Sequence, residues 1–324
     1  MLHAPASFPA LPPTMIGALF LRLSLLPTCH VMETTSFLGQ SCLILENAAL
    51  RLLVMRSAGP RVLALIPRGG SNLFAELADE SLPLPDGRRY RLYGGHRLWH
   101  APEEPDRTYL PEDDPVAIEE VPGGVQISRR EDATGIRKTI AVRLVDERSQ
   151  VLVTHTLTNL GPWPVSCAPW AITQLKTGGV AILPQAQAQT GVLPNRSLAI
   201  WPYTDIGSPW LHWGNRYLLV EARMSAPFKI GFPNPRGWLA YWWNGLLFVK
   251  RASYDAQAVY PDRGSSSECY ADHRCLELET LGPLQLLARG ATVSHQETWE
   301  VYADIPRPED EAAVERLVRR LALE

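Results

Sequence analysis

From Gln40 onward the apolar positions fall in short runs punctuated by Gly, Pro, Asn and Asp, the pattern of strand, turn, strand. Ser41 to Met55 and Arg61 to Ile66 are rich in Leu, Val and Ile, with Gly59-Pro60 between them. Val125 and Ile127 alternate with polar residues in Gly124 to Arg129, and Asp132 to Gly135 is suited to turn the chain. Ile140, Val142 and Leu144 then share one face of a strand. After Asp146 to Ser149, so do Val151, Val153 and Leu157. Three strands joined by short polar turns make an antiparallel meander. Trp170 to Leu175, Phe228 to Phe232, Gly237 to Trp243, Leu246 to Arg251, Cys275 to Glu279, Leu284 to Ala288 and Thr298 to Ala303 read as further strands. Asn244-Gly245 is a strong two-residue hairpin signal. Only Glu309 to Leu323 has helical spacing, its stripe being Ala313, Val314, Leu317 and Leu321. The expectation is an all-β, antiparallel chain over residues 32–305 with a short C-terminal helix in 306–324.

Residues 1–31 break the pattern. The apolar run Met15 to Leu26 is about half a membrane span, and Arg22 interrupts it. No Lys or Arg precedes it, so the charged start of a secretory signal is missing. An unstructured or mis-annotated extension before Met32 is the preferred reading, with a poor signal peptide as the alternative.

Composition narrows the function classes. A net charge of -3 without a basic block argues against nucleic acid as a partner. Nothing in the chain calls for a membrane partner. The five cysteines are scattered without a C-x-x-C pair, so neither a zinc site nor a disulfide framework is indicated. Thiols in a reducing, cytoplasmic compartment are the simplest reading. Ten Trp among 28 Pro and 23 Gly give many turns and many aromatic platforms.

Candidate chemistry concentrates in two stretches. Gly94 to Glu103, GGHRLWHAPE, holds His96, Arg97, Trp99, His100 and Glu103 behind a Gly-Gly step and reads as a shaped loop. Acid/base groups, a planar donor fork and an indole suit a neutral, hydroxyl-rich ligand; the alternative is a surface corner with solvated charges. His96 and His100 have i,i+4 spacing, but the flanking Gly-Gly and Ala-Pro leave no helix to present them to zinc. In Cys275 to Pro283, CLELETLGP, the period of two puts Glu277 and Glu279 on one face and Leu276 and Leu278 on the other. The carboxylates either face solvent or line a polar cavity. His155 lies in phase with Val151 and Val153 and is expected to be a hydrogen-bonded core histidine. No phosphate-binding glycine motif and no G-x-S-x-G elbow occurs, so neither a cofactor nor a metal is expected.

GGHRLWHAPE, LTNLGPWPVSCAPWAITQL at 157–175, LPNRSLAIWPYTDI at 193–206 and LELETLGPL at 276–284 together resemble the DUF4380 family. More broadly, the chain is similar to galactose mutarotase-like proteins. The resemblance implies a large antiparallel β-sandwich (a supersandwich) with a concave site for a small-molecule carbohydrate. In mutarotases a carboxylate takes the anomeric hydroxyl proton and a histidine protonates the ring oxygen. The matching Leu-Glu-Thr implies Glu279 as base, with Glu277 in reserve, and the Gly-Gly-His implies a role for His96. Where the family's acid histidine follows a strand ending in Asn, this chain carries Trp170. Trp99, Trp170 and Tyr203, with Arg97, Glu103, Asp205 and Glu268, complete the implied shell. Two functions follow: an aldose 1-epimerase-like isomerase, or a non-catalytic sugar-binding or sugar-sensing domain that has lost the acid. Either way, strand 275–279 and segment 94–103 should meet at one hollow, with Glu279 directed toward His96 or Arg97.

Overall fold

A computed structural model of the protein describes residues 30–324, so the expected extension at 1–31 lies, but for its last two residues, outside the described chain. The strands form two large antiparallel sheets, of eleven and ten strands, with a small separate hairpin. The expected meander lies side by side in the ten-stranded sheet as Gly124–Arg130, Ile136–Leu144 and Gln150–Asn159. The Asn244-Gly245 turn joins Trp238–Trp243 to Leu246–Ala252, with φ of 47° and 81° at its two residues, the left-handed pair that matches strand twist.

The two sheets pack face to face through alternating apolar residues. Leu98, Leu276 and Leu278 from one sheet meet Val151, Val153, Phe248 and Trp299 from the other. Phe74, Phe248 and Trp299 pack edge to face with ring centroids 5.7–6.1 Å apart. The far face of the ten-stranded sheet is closed by the helix Glu311–Leu321. That helix starts where the Asp310 side chain accepts a hydrogen bond from the Ala313 N–H (2.7 Å). Its buried Val314, Leu317 and Val318 lie on Val180, Ile182 and Trp238. The far face of the eleven-stranded sheet is the one that bears the cleft. Among the described residues no helix is long and apolar enough to cross a membrane.

A polar layer interrupts the apolar packing between the sheets. Lys250 is wholly buried and donates to the Ala171 carbonyl (2.9 Å), Thr173 Oγ1 (3.0 Å) and the Leu278 carbonyl (3.0 Å), with Glu297 as its ion-pair partner (2.9 Å). Three histidines join it. His155 Nδ1 donates to the His295 carbonyl (3.2 Å), which leaves its Nε2 as an acceptor for His96 Nε2–H (2.7 Å). His96 Nδ1 then accepts from the Thr173 hydroxyl (2.9 Å), and that oxygen accepts from Lys250. His295 Nε2–H donates to Thr280 (2.7 Å), whose hydroxyl donates to Glu297. Five of the six ring nitrogens are bonded in this way with all three imidazoles neutral. His96, His155 and Glu297 bring their ligand atoms within 4.8 Å of one another, a spacing fit for a cation, but the Lys250 ammonium already sits on that carboxylate.

Neutral buried imidazoles make the fold acid-sensitive. Burial pushes His96 well below the ordinary histidine range, with His155 and Lys250 nearby adding to it. Burial also lowers His155, and lowers His295 to about 3. Depressed folded values mean that the stabilisation is complete above the unfolded value of about 6.5 and is lost as pH falls below it. At these three sites the unfolded chain then binds protons that the folded one does not, so their contribution to stability falls as the pH falls. Urea midpoints measured from pH 7.5 to 5 should therefore fall less steeply below about 6.5 in His295→Asn than in the wild type; identical profiles contradict the neutral network.

Candidate functional site

Segment 94–103 is not the loop its Gly-Gly and Ala-Pro flanks suggest. His96–Ala101 is a fully buried strand, and period-two geometry divides its chemistry between two faces. His96, Leu98 and His100 turn toward the other sheet, while Arg97 and Trp99 turn to the cleft. The two glycines make the approach possible. A Cβ on Gly94 would lie 1.9 Å from the Ala75 carbonyl oxygen and one on Gly95 2.2 Å from that of Val62, and both have positive φ (87° and 77°).

Register across five strands assembles the floor. Arg97 pairs with Ile172, Ile172 with Glu279, Glu279 with Glu268 and Glu268 with Gly231. Beside that rung, Gln174 pairs with Glu277, Glu277 with Tyr270 and Tyr270 with Lys229. On the other side, Trp99 pairs with Trp170 and Trp170 with Leu281. A Cβ at Gly231 would meet Ser265 Oγ at 2.4 Å and Glu268 Cγ at 3.3 Å, so glycine leaves the Glu268 side chain its room.

Glu277 and Glu279 are both buried, which settles their face: they belong to the cleft side of the sheet and not to solvent, while Leu276 and Leu278 pack between the sheets. Trp170 Nε1 donates to Glu279 Oε2 (2.6 Å). Lys229 Nζ donates to the same oxygen (3.0 Å) and stands 2.8 Å from Glu268 Oε2, in an ion pair poorly aligned for a hydrogen bond. Its ammonium lies over the rings of Trp170 (4.5 Å) and Trp201 (4.8 Å). Arg97 stacks on Trp99 at 4.0 Å and donates to Glu277 Oε1 (3.3 Å), which also accepts from Gln174 (2.8 Å). The Trp99 and Trp170 rings meet edge to face, 5.4 Å apart. Above them lies a cavity of about 120 Å³ whose walls include Trp99, Trp170, Arg97, Glu277 and, at the exposed rim, Glu103 and Tyr203.

Charge is finely set here. Burial raises Glu268 well above the ordinary carboxyl range, Lys229 offsets part of this, and Glu279 adds to it. Burial likewise raises Glu277, against Arg97. Burial alone would lower Lys229, but Glu268 and Glu279 together raise it well above its usual value, so it stays an ammonium. Glu279 Oε1, Gln174 Oε1 and Arg97 Nε and Nη1 are buried without a protein partner, each at a cost of roughly 1–3 kcal/mol, more for a charged group.

Glu268 and Glu279 lie fully buried and are not among the cavity's walls, and two other expected members are elsewhere. His96 does not reach Glu279: it lies on the opposite face of the sheet, held by Thr173 and His155, because strand alternation sends it away from Arg97 and Trp99. Asp205 is exposed, caps its own turn by accepting from the Gly207 N–H (2.9 Å), and is not among the cavity's walls. Lys229 is the residue that sequence reading missed; its signal was a lone lysine inside the apolar strand Phe228–Phe232.

With this geometry in hand, comparison with known proteins bears on the fold. No family model matches the chain, and no curated protein does. Solved structures do match. A galactose mutarotase-like protein from Lactobacillus casei superposes with TM-score 0.50 at 9% identity, over 80% of this chain and 99% of its own. A candidate aldose 1-epimerase from Klebsiella pneumoniae gives 0.53 at 10%, over 88% and 83%. A TPR-domain containing protein from Parabacteroides distasonis gives 0.57 at 13%, over 83% of this chain and 48% of its own. The chain therefore has the galactose mutarotase-like β-sandwich fold.

The charge arrangement makes its own prediction. Lys229→Met leaves Glu279 and Glu268 facing each other without their cation, and should cost about 3–5 kcal/mol. Glu268→Gln replaces a carboxyl already held toward its neutral form and should cost less than about 1 kcal/mol. Equal losses for the two variants in urea denaturation would contradict this assignment.

Proposed function

We propose that the cleft binds a carbohydrate, as a DUF4380-like member of this fold. The observation that carries the reading is the cavity walled by two indoles, Trp99 and Trp170, with Arg97, Gln174 and Glu277. A pyranose has an apolar C–H face and a rim of hydroxyls that both donate and accept. Indole faces take the first; carboxylates, an amide and a guanidinium take the second. The unpartnered Gln174 Oε1 and Arg97 N–H groups, both on residues that wall the cavity, supply an acceptor and donors in the mixture that such a rim needs.

Binding without turnover fits the geometry better than epimerisation. No histidine reaches this face among the described residues that form the cleft, Trp170 stands where the resemblance places the acid, and Glu279 Oε2 is already held by Trp170 and Lys229. Indole does not deliver a proton near neutral pH. The second reading, an aldose 1-epimerase-like isomerase, is favoured by one observation: the Glu279 Oε1 edge is uncommitted and lies beside two carboxyls, Glu268 and Glu277, held toward their protonated forms. Glu279 would then take the anomeric hydroxyl proton, the ring C–O bond would open, and one of those carboxyls would protonate the ring oxygen.

Calorimetry against a panel of aldohexoses and hexuronic acids tests binding, and polarimetry on freshly dissolved aldoses tests turnover. We expect at least one sugar to bind, with Trp99→Ala weakening it by about tenfold or more. Wild-type mutarotation is expected to match buffer. Acceleration that Glu279→Gln abolishes would establish the second reading, whereas absence of binding to any sugar, monomeric or oligomeric, would overturn both.

A further inference from the structure

The cleft has a neighbour on the same face of the sheet. Ala199–Ile200 is the edge strand of the eleven-stranded sheet, and Ala199 pairs with Gly231 while the Trp201 N–H bonds to the Lys229 carbonyl (3.4 Å). That register puts Ala199 and Trp201 on the same face as Lys229, Glu268 and Glu279. The Trp201–Thr204 turn is fixed there: the Thr204 hydroxyl donates to the Lys229 carbonyl (2.6 Å) and accepts from the Lys229 N–H (2.9 Å). Tyr203 of this turn forms part of the cleft's rim, while Trp201 and Pro202 wall a second hollow of about 280 Å³ with Ala199, Ile200, Asp262 and Arg263. One short turn is thus the ridge between two hollows. The Lys229 ammonium bridges beneath it, lying over Trp170 on one side and Trp201 on the other.

The second hollow has the same chemistry as the first. Asp262 and Arg263 flank it, and neither side chain has a hydrogen-bond or ion-pair partner among the described residues. Both are left-handed (φ 47° and 62°), a conformation that non-glycine residues adopt at a cost and that is maintained when the surroundings over-determine it. Asp262 lies near enough to Glu268 for its charge to act on that carboxyl, which places the two hollows within electrostatic reach. An indole, a free acceptor and a free donor fork again stand together.

We propose that Trp201, Asp262 and Arg263 form a second sugar subsite, so that the ligand is a disaccharide or longer saccharide spanning the Trp201–Thr204 ridge and not a single free monosaccharide. This rests on the carbohydrate reading of the cleft. One saccharide unit occupies the Trp99/Trp170 corner and the next lies on the Trp201 ring, with Arg263 and Asp262 taking its hydroxyls.

Calorimetry with glucose, galactose, mannose and glucuronic acid, set against cellobiose, maltose, lactose and maltotriose, reads the ratio of oligosaccharide to monosaccharide affinity. For the wild type at least one disaccharide should bind about tenfold or more tighter than its own units. Trp201→Ala should bring that ratio close to one. Arg263→Ala, an exposed change that leaves the fold intact, should lower it severalfold. Monosaccharides binding as well as every oligosaccharide overturns the second subsite and leaves the sugar-binding cleft standing. A ratio unchanged in both variants also overturns it, as does a Trp201→Ala loss shared equally by both sugar classes while Arg263→Ala changes nothing, since Trp201 then acts only through Lys229. If no sugar of either size binds, both proposals fall.

Discussion

The structure depends on a buried ammonium. Lys250 belongs to the ten-stranded sheet, yet two of its acceptors are backbone carbonyls of the opposite sheet, Ala171 and Leu278, next in sequence to Trp170 and Glu279. An ion taken out of water loses several kcal/mol of hydration, and only well-formed bonds on every side offset that. Lys250 has four oxygen partners, one of them the Glu297 carboxylate. The separation of the sheets beneath the cleft is thereby fixed to a hydrogen-bond length. The cleft floor inherits that rigidity: its indoles and carboxylates stand on strands that cannot slide without stranding a charge.

Reading the chain revealed what depends on neighbours in sequence. The meander, the Asn244-Gly245 hairpin, the final helix and the opposition of Glu277/Glu279 to Leu276/Leu278 all follow from local period and turn chemistry. The helix came out two residues shorter at each end, where Asp310 caps it and Ala322 turns left-handed. What stayed hidden depends on which strands lie beside one another. His96 and Arg97 are adjacent letters with opposite destinations, and the glycines before them gave a loop signal strong enough to mask the alternation. Glu277 and Glu279 left two readings open until the pairing with Gln174, Tyr270 and Glu268 closed one of them. Lys229 went unnoticed, since only the fold shows that its neighbours are two carboxylates and two indoles.

The cleft holds its charges in near balance. One ammonium serves two carboxyls, burial pushes one of these toward its neutral form, and a guanidinium is partly neutralised by Glu277. Such a surface presents dipoles and directed lone pairs with little net field. It favours ligands that hydrogen-bond in both senses over ligands that carry strong charge.

Gly94 and Gly95 have a consequence beyond the space they save. By admitting the strand at one fixed residue, they decide the parity of everything that follows: odd-numbered positions 97 and 99 go outward, even-numbered positions 96, 98 and 100 go inward. Shifting the entry by one residue would exchange the two sets whole. An indole and a guanidinium would be driven between the sheets, and two imidazoles would be left facing the cleft. Cleft chemistry and core chemistry are thus interleaved in six residues, and what sorts them is a count started by two residues with no side chain.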